Sequence, residues 1–133
     1  NGEPVRENQI LCPKTTAVME NLPLVFSGKR CPNVLFSKLK SGSRIPPHHG
    51  MINTRLICHL PLIVPRRCGF RVGNDMREWV PGKVWLFDDT VEHEAWNDSS
   101  EDRILLIFEV WKPGLSNSEK NFITRLLEAV DAY

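Results

Sequence analysis

Short apolar segments separated by Pro, Gly, Asn and Asp run through most of the chain, the pattern of an all-β sandwich or barrel. Six segments predict strands: Val34 to Lys40, Thr54 to Val64, Gly69 to Val72, Lys83 to Phe87, Glu92 to Trp96 and Arg103 to Trp111. Within RLICHLPLIV, Leu56, Cys58, Leu60 and Leu62 share one face, and Arg55, Ile57, His59 and Pro61 share the other, because side chains alternate along an extended chain. An arginine and a histidine on one face of so apolar a strand predict a lined cavity. RILLIFEVW is almost continuously apolar and predicts a central strand buried on both sides.

The period changes near the C-terminus. SNSE, from Ser116 to Glu119, is a capping box, and Phe122, Ile123, Leu126, Leu127 and Val130 follow at three- and four-residue spacing. A helix over about 116–131, lying across the edge of the sandwich, is expected. The first 30 residues, with CPKTTAVMENLP, read as loop or short helix. No repeat or linker interrupts the chain, so residues 1–133 are expected to form a single domain.

Composition narrows the function classes. With 17 basic and 16 acidic side chains and a formal net charge of +1, no stretch accumulates Lys and Arg, which speaks against a nucleic-acid or anionic-membrane footprint. No apolar run reaches the roughly 18 residues of a membrane span, and NGEPVRENQI has no apolar signal-peptide core. A soluble protein is expected, cytoplasmic if the chain is complete; without an initiator Met it could equally be an excised piece. Cys12, Cys31, Cys58 and Cys68 show no CxxC spacing, which argues against a zinc knuckle. A Cys12–Cys31 bridge is conceivable, as are four inert thiols.

Three of the four histidines, His48, His49 and His59, fall within twelve positions, and the fourth, His93, stands in FDDTVEHEAW between Glu92 and Glu94. Two histidines drawn from distant strands are how a β-sandwich builds a metal pocket, with nearby carboxylates to orient the rings. Hydrogen-bonded core or surface histidines are the alternative. Only one of the His48–His49 doublet can face the cavity. Arg103 opens the last apolar strand, where a buried guanidinium needs an acid: Glu109, an Asp of FDD, or a bound ligand. A solvated strand-entry arginine is the other reading, and Arg55 poses the same choice. Trp79, Trp85 and Trp111 read as packing residues, Asp88 and Asp89 as either a turn or part of a metal surround. Ile104 to Phe108 and Trp96 are candidates for a dry wall.

PHHGMINTRLICHLPLIVP followed by CGFRVGNDMREWVPGKVWLFDDTVEHEAWNDSSEDRILLIFEVWKP resembles the catalytic core of the aspartyl/asparaginyl β-hydroxylase family, iron(II)- and 2-oxoglutarate-dependent oxygenases. The resemblance runs from about Leu35 to Pro113. It implies a double-stranded β-helix, the jelly-roll barrel of cupin type. It also implies iron(II) held by His48 and His93 as the catalytic pair, with 2-oxoglutarate and O₂ as cosubstrates. Gly50 stands where most related oxygenases carry a third, carboxylate ligand, as it does in this family. Ser37, His59 and Arg103 match the 2-oxoglutarate pocket, and Arg55 matches an arginine that faces substrate. A second arginine common in the family is Ile57 here, which counts against an aspartate side chain as substrate. The implied reaction is hydroxylation of an unactivated carbon of an amino-acid, peptidyl or small-molecule substrate, with succinate and CO₂ released. The rival expectations are a lipid acyl-chain hydroxylase and a cupin-like binding protein without turnover.

Overall fold

The computed structural model describes residues 4–25 and 34–133. Two short helices, α1 (Arg6–Leu11) and α2 (Pro13–Met19), precede eight strands and a final helix. The strands are β1 (Val34–Leu39), β2 (Arg44–His48), β3 (Arg55–Ile63), β4 (Cys68–Val72), β5 (Asp75–Arg77), β6 (Trp85–Phe87), β7 (His93–Asn97) and β8 (Arg103–Trp111). They form two four-stranded antiparallel sheets in the orders β1-β8-β3-β6 and β2-β7-β4-β5. The chain alternates between the sheets with each long connection, which makes the molecule a double-stranded β-helix, or jelly roll. The all-β expectation with a C-terminal helix holds, and all six expected strands form.

β2 and β5 are additions to that list. β2, RIPPH, carries two prolines that cannot donate to a ladder, and it is accordingly an exposed edge strand. β5 is three residues long and returns from β4 through a tight turn between Val72 and Asp75. Gly73 in that turn has φ +56°, a conformation that costs glycine least.

β8 lies between β1 and β3 and is buried along most of its length. Its two faces serve different cores. Leu106, Phe108 and Val110 point outward with Cys58 of β3, and the chain segment around α2 covers them with Met19, Leu22 and Leu24. Leu24 forms an isolated bridge to Val110, so residues 23–25 run beside β8 beyond the reach of β1. The opposite face carries Arg103, Leu105, Ile107 and Glu109 into the barrel, where Leu105 packs with Leu39, Cys68, Phe70, Trp79 and Ala95.

Asn97 closes the barrel end. Fully buried, it donates to the Leu39 and Glu101 carbonyls at 2.9 and 2.8 Å and accepts from the Cys68 thiol at 3.2 Å. The capping box expected at Ser116 is present: Ser116 Oγ accepts from Glu119 N, and the Glu119 carboxylate accepts from Ser116 N at 2.8 Å. α3 (Asn117–Ala132) nevertheless buries none of its residues, and Phe122, Leu126 and Val130 are all exposed. Capping and spacing act within the helix, whereas docking needs an apolar surface to receive it. The outer face of β8 and β3 is already taken by Met19, Leu22 and Leu24, so the expected cover over the sandwich edge does not form. Cys12, Cys58 and Cys68 are free thiols, the last two buried, so the conceivable Cys12–Cys31 bridge is not formed at Cys12; Cys31 itself lies outside the described residues.

Candidate active site

His48 ends β2 and His93 begins β7, and the two are cross-strand partners with ring centroids 4.1 Å apart. The prolines explain how they meet. Ile45 pairs with Ala95, so an unbroken ladder would set Pro47 opposite His93; the register shifts by one residue across Pro46–Pro47 and brings His48 there instead. Such a bulge re-aims the side chain that follows it. His49 is directed elsewhere, its Nδ1 lying 3.0 Å from the Thr90 carbonyl.

The tautomers of the pair follow from their partners. His48 Nδ1 lies 2.8 Å from the Pro46 carbonyl, and His93 Nδ1 lies 2.9 Å from the Val91 carbonyl. A carbonyl can only accept, so each Nδ1 carries the proton and Nε2 holds the lone pair of the neutral ring. Burial lowers the pKa of His93, opposed by its bond to the Val91 carbonyl and reinforced by a smaller effect of the neighbouring His48. Two Nε2 atoms on adjacent strands could together hold a metal ion. Among the described residues no group of three or more His, Cys, Asp or Glu is arranged to hold an ion.

The carboxylates expected to orient these rings have other work. Glu92 and Glu94 both grip Arg71, at 2.8 and 2.5 Å, and backbone carbonyls orient the histidines instead. Asp88 forms the turn before β7, accepting from Thr90 N and Oγ1 at 3.1 and 2.7 Å, and pairs with Lys112 at 2.7 Å. Asp89 turns inward and is buried.

Arg103 is only 1% exposed, yet none of the described residues offers it a carboxylate. Its Nη2 donates to Ser37 Oγ at 3.2 Å, its guanidinium carbon lies 4.8 Å from the centre of the Trp79 ring, and its Nε has no partner. Burial without a counter-charge brings its pKa down to about 10. Glu109 and the Asp of FDD, considered above as partners for Arg103, lie against Arg55: Nη1 donates to Glu109 at 2.6 Å and Nη2 to Asp89 at 3.3 Å.

His59 lies two positions along β3 from Ile57 on the barrel side, in contact with Phe70, Phe87 and Trp79. Desolvation, reinforced by the charges of Arg103 and His93, pushes its pKa down to about 3, so it is neutral at physiological pH. Its Nδ1 is buried without a partner, as is Trp79 Nε1. Arg103 Nε, His59 Nδ1 and Trp79 Nε1 are thus three buried nitrogens without hydrogen-bond partners, gathered around one guanidinium. Buried polar atoms are ordinarily satisfied, and a cluster of orphans calls for a ligand rich in acceptor oxygens.

Trp79, expected as a packing residue, does pack in the barrel core with Phe70 and Leu105, and no cue in the sequence showed that its ring also lies beneath Arg103. Of the residues expected to form a dry wall, Leu105 and Ile107 face the barrel and the others do not. Ile104, Leu106 and Phe108 face outward, and Trp96 stands on the opposite face of β7 from His93 and Ala95, with its ring where Gly69 lacks a Cβ. Phe70, Phe87 and Leu105 are the apolar lining beside His59 and His93.

A model of the aspartyl/asparaginyl beta-hydroxylase family matches residues 1–113. The chain is 38% identical over 119 residues to the Mus musculus aspartyl/asparaginyl beta-hydroxylase, covering 86% of this chain and 16% of that protein. It is 35% identical over 115 residues to the Rhizobium tropici ornithine lipid ester-linked acyl 2-hydroxylase, covering 84% of this chain and 39% of that one. The chain therefore spans well under half the length of these relatives. A Thermus thermophilus protein of known crystal structure superposes with a TM-score of 0.50 at 17% identity, over 68% of this chain and 82% of that one, a likeness of fold.

Proposed function

The chain belongs to the aspartyl/asparaginyl β-hydroxylase family, and on that premise we propose that it is an iron(II)- and 2-oxoglutarate-dependent dioxygenase that hydroxylates an unactivated carbon. The observation that carries the reading is Arg103, a buried guanidinium with a serine hydroxyl and an indole face for company and no carboxylate among the described residues. A dicarboxylate cosubstrate supplies the missing acid.

The residues fit the groups. His48 and His93 would hold iron(II) through Nε2, since each Nδ1 is committed to a backbone carbonyl. Arg103 and Ser37 would take the distal carboxylate of 2-oxoglutarate, a match of fork to carboxylate that lysine could not reproduce. His59, neutral and short of an acceptor, would donate to the other end of the keto acid. When bound, iron(II) with 2-oxoglutarate and O₂ supplies the oxidising power for hydroxylation, leaving succinate and CO₂. The protein's part is to place substrate and cosubstrate together and to exclude water with Phe70, Phe87 and Leu105. With glycine at position 50, the metal would have one protein charge fewer than in a facial triad and would be held more weakly.

Relatives of similar identity are named for different substrates, an aspartyl or asparaginyl residue in one case and a lipid acyl chain in the other, so family membership alone does not choose between an amino-acid, peptidyl, small-molecule or acyl substrate. The test of the reaction type is anaerobic titration of the apoprotein with iron(II) and 2-oxoglutarate. A visible charge-transfer band is expected in the wild type and its loss in His48→Ala and His93→Ala. No band in the wild type would leave a barrel that binds without turning over.

A further inference from the structure

Trp79 lies in the stretch between β5 and β6 and is 3% exposed. Packing accounts for its ring but not for its nitrogen. Phe70 stacks on the ring at 5.3 Å with 21° between the planes, Leu105 and Ala95 belong to the same cluster, and the His59 ring lies 6.0 Å away. A phenylalanine would fill that role without burying a polar atom. The indole Nε1 is instead buried with no hydrogen-bond partner, although a buried tryptophan N–H ordinarily has one.

Neighbouring groups do not supply the acceptor. The Arg103 guanidinium sits over the ring face, its central carbon 4.8 Å from the ring centre, whereas the indole N–H points outward in the ring plane. A guanidinium has only donors to offer, as does the indole. His59 Nδ1 is itself without a partner, and so is Arg103 Nε. Ser37 Oγ accepts from Arg103 Nη2 at 3.2 Å and therefore keeps its own proton to give. One carboxylate has two oxygens with about four acceptor positions, enough for the fork of Arg103, the Ser37 hydroxyl and one further donor.

Resting on the oxygenase reading, we propose that Trp79 is a cosubstrate-binding residue: its indole N–H donates to the carboxylate that Arg103 and Ser37 hold, while its ring face carries the guanidinium. The acid then joins the β5–β6 stretch, which crosses from one sheet to the other, to β1 and β8. The indole is selected over a plain aromatic ring because the ligand, not the protein, satisfies its nitrogen.

The test uses the whole chain loaded with Zn(II), which is redox-inert and diamagnetic, and isotope-labelled at the indole nitrogens of its four tryptophans. The Trp79 signal is assigned by elimination against Trp85→Phe, Trp96→Phe and Trp111→Phe. Addition of 2-oxoglutarate is expected to move that signal downfield, as a hydrogen bond to a carboxylate does, and to slow exchange of its proton with solvent. Trp79→Phe keeps an aromatic face under the guanidinium and removes the N–H. By calorimetry it is expected to bind 2-oxoglutarate about tenfold or more weakly, with Zn(II) affinity unchanged. An unmoved Trp79 signal with 2-oxoglutarate bound overturns the assignment alone, and so does full 2-oxoglutarate affinity in Trp79→Phe. Should that variant fail to fold, the wild-type spectrum decides by itself. Failure of 2-oxoglutarate to bind the Zn(II)-loaded wild type overturns the oxygenase reading and this inference with it.

Discussion

Replacing Arg103 by methionine is expected to make the ligand-free protein more stable and the ligand-responsive protein extinct. The guanidinium is 1% exposed, and burial lowers its pKa from the ordinary arginine value to about 10 with no carboxylate contributing to the balance. A shift of that size corresponds to roughly 3 kcal/mol of unfavourable burial. Because the folded pKa lies below the unfolded one, that cost is fully present at neutral pH and declines only as pH rises past about 10, where the folded form releases its proton first. Methionine keeps most of the apolar stem and removes the charge, and buried charges replaced by apolar residues of similar size often leave a protein more stable. Allowing for lost contact with Trp79 and Ser37, a net gain of about 1–2 kcal/mol is expected, a rise of several degrees in melting temperature for a chain of this size. The wild type, by contrast, should gain about 2.7 kcal/mol from 2-oxoglutarate at a hundredfold excess over its dissociation constant, with Zn(II) present, and the variant nothing. Thermal denaturation of both proteins with and without the two ligands decides the matter. A ligand-free Arg103→Met protein less stable than wild type by more than about 1 kcal/mol would mean that the guanidinium has a stabilising partner of its own. A full 2-oxoglutarate shift in the variant would remove Arg103 from the pocket.

Two further outcomes follow from the same interior. His59 has a folded pKa of about 3 against an ordinary 6.5, so the unfolded chain binds its proton first and stability falls as pH drops below about 6.5. Urea midpoints should show wild type losing about 2 kcal/mol more than His59→Phe between pH 6.5 and 5, and parallel pH profiles would refute the assignment. A Cβ at Gly50 would overlap the Asp89 carboxylate, so Gly50→Ala should cost about 1–3 kcal/mol by overpacking. Adding Asp89→Ala should recover at least about 0.5 kcal/mol of that loss in a double-mutant cycle, and strict additivity in thermal melts would show that the two residues do not meet.

Most strands were legible because their patterns are local. RILLIFEVW has no polar face to expose and became the buried centre of its sheet, and the alternation in RLICHLPLIV divided correctly between the outer core of Leu56, Cys58 and Leu60 and the barrel side of Arg55, Ile57 and His59. β2 was not among the expected strands: its prolines hold the stretch extended but give it no alternating apolar pattern, and an edge strand tolerates them. α3 shows the limit from the other side: SNSE specified where the helix begins, but nothing in its apolar spacing says which surface it meets, and it meets none of those expected.

The residue types and their spacing, together with the family likeness they carry, determined by themselves the jelly-roll class, the two distant histidines and the arginine that opens the last strand. These are properties of periodicity and of single side chains, which do not depend on what lies across the barrel. Pairings among charges were decided only by the tertiary structure. Glu109 is six residues from Arg103 and 54 from Arg55, yet alternation along β8 and the β3–β8 register give it to Arg55, and Asp89 joins it across the fold. Arg103 is thereby left without an acid among the described residues, and the one-residue bulge at Pro46–Pro47 brings His48 to face His93. Coulombic and hydrogen-bond partnership depends on distance in space, and register and bulges set that distance after the sequence has chosen its strands.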